Sequence, residues 1–170
     1  MTDWISPDGD DPEFIFHRTE RFAHAMYGLI IITAVLVAEA EHVTDAVDAL
    51  LIVLGTGLVL LLAHTYVAVV AERTLLKHRL ESNKRIEVLI DNVPVLIAVL
   101  APSLLFIAAE AGAIEIETAF TWAIAFTVVA LYAIGVLEGR RIGYSWARSL
   151  LVGLGGAFIG AVIIMVESLL

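Results

Sequence analysis

The run Gly139-Arg-Arg-Ile-Gly-Tyr-Ser-Trp-Ala-Arg-Ser149 decides how the chain is read. It carries three arginines, Arg140, Arg141 and Arg148, and long apolar stretches flank it on both sides. Each flank reaches the roughly 20 residues that a helix needs to cross a hydrocarbon core about 30 Å thick. A short cationic turn between two such stretches reads as a membrane hairpin whose tip stays on the cytoplasmic side.

Working outward, the composition agrees. The 170 residues are 60% hydrophobic, with a mean hydropathy of +0.92, where soluble domains lie nearer half apolar. The excess is gathered into five runs, at about residues 22–40, 47–71, 88–109, 118–137 and 147–169. A backbone in lipid must satisfy its own hydrogen bonds, so these runs are predicted to be helices. No ten-residue alternation of a barrel strand is present. The expectation is one all-α membrane domain over residues 21–170, preceded by an acidic arm over residues 1–20. That arm lacks the basic start and small-residue cleavage site of a signal peptide. Pro7, Gly9 and Pro12 among its aspartates read as extended chain.

Orientation follows from charge. Arg18 and Arg21 precede the first run. Arg73, Lys77, Arg79, Lys84 and Arg85 lie between the second and third, and the three arginines of the turn between the fourth and fifth. These are all 10 basic residues, and all fall on one side. The other side holds Glu39, Glu41, Asp45, Asp48, Glu110, Glu115, Glu117 and Glu167. The positive-inside rule then predicts a cytoplasmic N-terminus, five spans and an outer C-terminus, with a prokaryotic plasma membrane as the expected location. Short links predict that spans one and two, three and four, and four and five are antiparallel neighbours. The charged link between spans two and three is expected to extend span two as a helix through about residues 72–80.

The same numbers exclude several functions. The chain has no cysteine, hence no disulfide framework or thiolate metal site. A net charge of −9 argues against a nucleic-acid partner. Phosphate loops, nucleophile elbows and HExxH spacings are missing, so no enzyme is expected. No permanently bound cofactor is expected either.

Ionisable residues inside membrane helices are costly and mark pathways or pairs. The candidates are His24, His64, Glu72 and Asp91, with Tyr27, Thr65, Tyr66 and Asn92 as polar neighbours. Counted at about 1.5 Å per residue, His64 lies about 25 Å from the outer start of span two, in the inner part of the bilayer. All four ionisable groups fall in the cytoplasmic third. Imidazole with carboxylate suits a divalent cation such as Fe²⁺, Mn²⁺, Zn²⁺ or Ni²⁺, and equally a proton relay. A plainer reading pairs Glu72 and Asp91 with Arg73, Arg85 or Arg21 at the interface. Gly153, Gly156 and Gly160 in span five fit close helix packing, within one subunit or between two. Pro94 and Pro102 predict a kink in span three.

The chain resembles the vacuolar iron transporter family. The closest stretch is ALYAIGVLEGRRIGYSWARSLLVGL, residues 130–154, with Ala130, Leu131, Gly135, Arg141, Gly143, Ser145, Arg148, Ser149 and Gly153 on the family pattern. Span three matches at Pro102, and LGTGLVLLLAHTYVAVVAER of span two matches in outline. The resemblance implies a five-span subunit, a homodimer with its pore at the two-fold interface, and proton-coupled export of Fe²⁺ or Mn²⁺ from the cytosol. It also implies an Asp in span one and a Met and a Glu in span two on the metal path. Here those positions read Tyr27, Leu61 and Thr65, and the family's cytoplasmic metal-binding insert is reduced to the charged link. His24 and His64 sit within a turn of the replaced positions. The expected function is thus a divalent-cation transporter, with a non-transporting membrane scaffold of the same fold as the alternative.

Overall fold

The computed structural model describes the backbone of residues 12–76, 94–167 and 169, and the side chains of residues 25–70, 96, 98–167 and 169. The described chain is five helices: α1 (Pro12–Glu39), α2 (Ala46–Leu76), α3 (Pro94–Glu110), α4 (Ile116–Arg141) and α5 (Trp146–Glu167). No strand occurs among the described residues. Pro12 occupies the first helical position of α1, where its missing N–H costs nothing. The last part of the acidic arm, residues 12–20, is therefore helical and continuous with the first apolar run. Helix α2 runs past the apolar stretch to Leu76, and α4 reaches Arg141, a turn beyond the expected end of span four.

The turns between helices have local causes. Asp45 caps α2: its Oδ1 accepts the backbone N–H groups of Val47 at 2.8 Å and Asp48 at 3.1 Å. Helix α3 stops at Gly112, whose φ of 71° is left-handed, with Gly112 N–H donating to Ala109 O and Ala113 N–H to Ala108 O. Helix α4 stops the same way at Gly143, φ 84°, with Gly143 N–H bonded to Arg140 O and Tyr144 N–H to Gly139 O. Ser145 then caps α5 through its Oγ and its carbonyl, which accept the N–H groups of Arg148 and Ser149.

Helix α1 is the centre. It packs on α2, α3, α4 and α5, and between residues 25 and 40 only Tyr27 is exposed. Leu29, Ile32 and Leu36 of α1 meet Ala98, Val99 and Phe106 of α3 and Ala119, Phe120, Ala123 and Leu131 of α4 in one core. Phe106 and Phe120 stand edge to face with centroids 4.8 Å apart. Thr33, buried in the middle of α1, donates its hydroxyl to Leu29 O, so its polar group is satisfied within its own helix.

The neighbour expectation holds in part. α3 with α4, and α4 with α5, are extensive partners. α1 and α2, although joined by a short loop, have the least contact of the main pairs, and α2 instead lies against α3. A short loop fixes where two helix ends meet, not how far their lengths pack. α1 has committed its faces to three other helices.

Outward-facing positions are as apolar as the core. Leu51, Leu58, Val59, Leu62 and Val67 of α2, Val129 of α4, and Leu151 and Phe158 of α5 are all exposed. Three described helices are long and apolar enough to cross a membrane: Ala46–Val70, Ile116–Arg141 and Trp146–Glu167. Ala25–Glu39 and Ala98–Glu110 are shorter apolar helices. Exposed apolar surface of this extent on continuous helices is compatible with an integral membrane protein.

Candidate functional site at the α1–α2 contact

The single exposed residue in the central part of α1 meets the histidine of α2. The Tyr27 and His64 rings are 5.2 Å apart at 63°, edge to face. His64 is half-buried, and its Nδ1 lies 2.8 Å from Leu60 O. A carbonyl only accepts, so Nδ1 carries the hydrogen and the lone pair of the neutral ring sits on Nε2. The bond to its own helix also fixes the ring plane, as second partners do for ligating imidazoles.

Thr65 adds a second polar feature. Its Oγ1 is buried with no hydrogen-bond partner. Thr33, Thr56, Thr121 and Thr127 return their hydroxyls to a carbonyl of their own helix, and Thr65 does not. An unmade bond at a buried hydroxyl costs roughly 1–3 kcal/mol. Tyr66, next in sequence, points outward and is 71% exposed. The structure thus brings Tyr27 and His64 into contact, leaves the Thr65 hydroxyl buried on α2 and sends Tyr66 outward.

The remaining candidates fall elsewhere. His24 and Glu72 belong to the α1 and α2 backbones, but their side chains lie outside the described residues, and Asp91 and Asn92 lie outside altogether. Among the described residues no group of three or more His, Asp or Glu is arranged to hold a metal ion.

The small residues of α5 have a defined partner, and it is α4 of the same chain. A Cβ on Gly153 would stand 2.8 Å from Tyr132 O, one on Gly156 2.7 Å from Leu131 O, and one on Gly160 2.9 Å from a methyl of Val128. From the other side, a Cβ on Gly135 would stand 2.8 Å from the Gly153 Cα and one on Gly139 2.7 Å from the Ser149 Cα. Gly155, on another face, meets nothing within 4 Å.

Sequence reasoning overlooked Glu138. It lies one residue past the expected end of span four. Its Oε1 is buried without a hydrogen bond, and Arg141 Nη1 stands 3.9 Å away. Following the helical pattern through the glutamate to the arginines would have included it.

No protein-family model, curated protein or solved structure matches the chain.

Proposed function

We propose that the chain is a five-span membrane transporter of a divalent metal cation, of the Fe²⁺ or Mn²⁺ kind, that exports it from the cytoplasm in exchange for protons. The observation that carries the proposal is the Tyr27–His64 contact. An oriented imidazole on the apolar stretch Ala46–Val70 of α2 stands against Tyr27, the one exposed residue among positions 25–40 of α1. Imidazole binds both protons and divalent ions, and the two compete for the same ring lone pair. That competition is the chemical basis for coupling one to the other. The resemblance to the iron transporters, which rests on the residues quoted for it, adds the five-span topology and the homodimer. In the proposed topology the Arg140–Arg148 turn is cytoplasmic and Glu115, Glu117 and Glu167, at the opposite ends of α4 and α5, are outside.

The test is flux in proteoliposomes under an imposed pH gradient, with a panel of divalent ions. Flux of Fe²⁺ or Mn²⁺ in the wild type that disappears in His64→Ala supports the reading. Wild-type liposomes that move none of the ions would sink it. Flux unaffected by His64→Ala would remove His64 from the path.

A second reading is a scaffold that keeps the fold without transport. What favours it is the α4–α5 pair, packed backbone against backbone as a rigid unit. Wild-type protein that is folded and dimeric but silent for every ion would support this reading instead.

A further inference from the structure

The turn between α4 and α5 is more ordered than a connection needs. Gly143 sets its left-handed bend and Ser145 caps α5. Arg140 is fastened within it: its Nη1 donates to Tyr144 O at 2.9 Å, and its guanidinium carbon lies 4.5 Å from the centre of the Trp146 ring. Neither partner bears a negative charge. The chain has 19 acidic residues to 10 basic ones, yet among the described residues no carboxylate lies within ion-pair distance of Arg140 or Arg148. Glu138 stands nearest to Arg141, while the other acids of α4 and α5 are at the far ends of those helices.

Apolar surface is mixed with this unneutralised charge. Trp146 is 65% exposed, Ile142 64% and Tyr144 40%. A turn facing only water has no use for three large exposed apolar groups. A lipid interface accounts for both features, because aromatic rings settle at headgroup level and guanidinium groups match phosphate oxygens.

We propose that the α4–α5 turn is a binding surface for the phosphodiester headgroups of anionic phospholipid. Arg140 and Arg148 engage the phosphates, and Trp146, Tyr144 and Ile142 seat at the boundary of headgroup and acyl chain. Stacking on Trp146 holds Arg140 in place before the lipid arrives, so less side-chain freedom is lost on binding. The surface rests on the reading that α4 and α5 cross the membrane, and it is independent of what, if anything, is transported.

The experiment uses the full chain in neutral detergent, with bound lipid counted by native mass spectrometry as phosphatidylglycerol or phosphatidylcholine is added. Phosphatidylglycerol is expected to bind in preference. Arg140→Gln or Arg148→Gln should each weaken it about fivefold and the pair about 25-fold, as expected for basic side chains at an anionic surface, with phosphatidylcholine unchanged. Trp122→Gln, at the opposite end of α4, should leave the preference intact. Equal binding of the two lipids, or a preference that survives the double substitution, would overturn the proposal. So would full displacement by inorganic phosphate at equal concentration, which would point to a free-anion site. Alkaline carbonate extraction of membranes keeps the two claims separate. Release of the wild type overturns the spanning reading and this proposal with it, whereas retention with equal lipid binding overturns this proposal alone.

Discussion

The α4–α5 hairpin and the α1–α2 hairpin are both apolar helix pairs joined by short turns, and they pack in different ways. In α4–α5 the meeting faces are glycines and a serine, so backbone lies on backbone along the pair. In α1–α2 the contact is limited, and it includes a tyrosine set edge to face against a histidine. Without a hydrophobic drive between helices in lipid, close van der Waals contact between small residues is what holds a pair together. The first hairpin has that contact in full. The second has polar groups where small residues would pack best. The difference separates a pair built for rigidity from a pair that tolerates partly satisfied polar groups, as functional regions do.

The most decisive break of this comparison is His64→Ala. If the α1–α2 contact is the working half, the substitution abolishes cation flux in proteoliposomes while the melting temperature in detergent stays near the wild type. A protein that loses both together would show His64 to be structural.

Gly135→Ala tests the other half. The new methyl meets the Gly153 Cα at 2.8 Å and Val152 O at 3.0 Å. Both are backbone, so the helices must separate. Overpacking of this kind costs roughly 1–3 kcal/mol, and the upper end is expected here because no side chain can move aside. Thermal or denaturant unfolding in micelles reads it directly.

Asp45→Ala removes the cap of α2, with the loss of both bonds to Val47 and Asp48 N–H. A destabilisation of about 1 kcal/mol is expected, together with faster amide exchange in the first turn of α2 and unchanged exchange in α5. Spread of the effect into α5 would show the two hairpins to be one cooperative unit.

Gly155→Ala is the smallest effect and has the opposite sign. Gly155 lies on the same helix as Gly153 and Gly156 but meets nothing within 4 Å. Alanine there should stabilise by up to about 0.5–1 kcal/mol through helix propensity alone. A loss as large as that at Gly135 would place a second packing surface on that face of α5, as a dimer seam would.

Much of the helical framework is legible in the sequence, for clear reasons. Apolar runs of span length must be helical in lipid, whereas the caps at Asp45 and Ser145 and the left-handed stops at Gly112 and Gly143 came from the fold. Gly153, Gly156 and Gly160 of α5 are also legible as packing positions, because small residues in an apolar helix admit a close neighbour. Their partner is not legible. Spacing says that a backbone approaches, and only the fold shows Leu131, Tyr132 and Gly135 of α4 doing so. The candidate site divides in the same way. His64 stands out in any apolar run, but its pairing with Tyr27 depends on the crossing of two helices. Glu138 was passed over because hydropathy ends a span at the first charge, whereas hydrogen bonding carries α4 on to Arg141.

By itself, then, the sequence determined the helical class and the concentration of arginine at one end of α4 and α5, because these depend on local chemistry and on the length of apolar runs. The tertiary structure decided that α1 is the enclosed centre, that α2 leans on α3 rather than along α1, and that the glycine face of α5 is spent on α4. Those outcomes depend on which faces compete for the same neighbour. All five helices have apolar faces, so hydrophobicity does not rank the possible partners, and the close fit of backbones and side chains does.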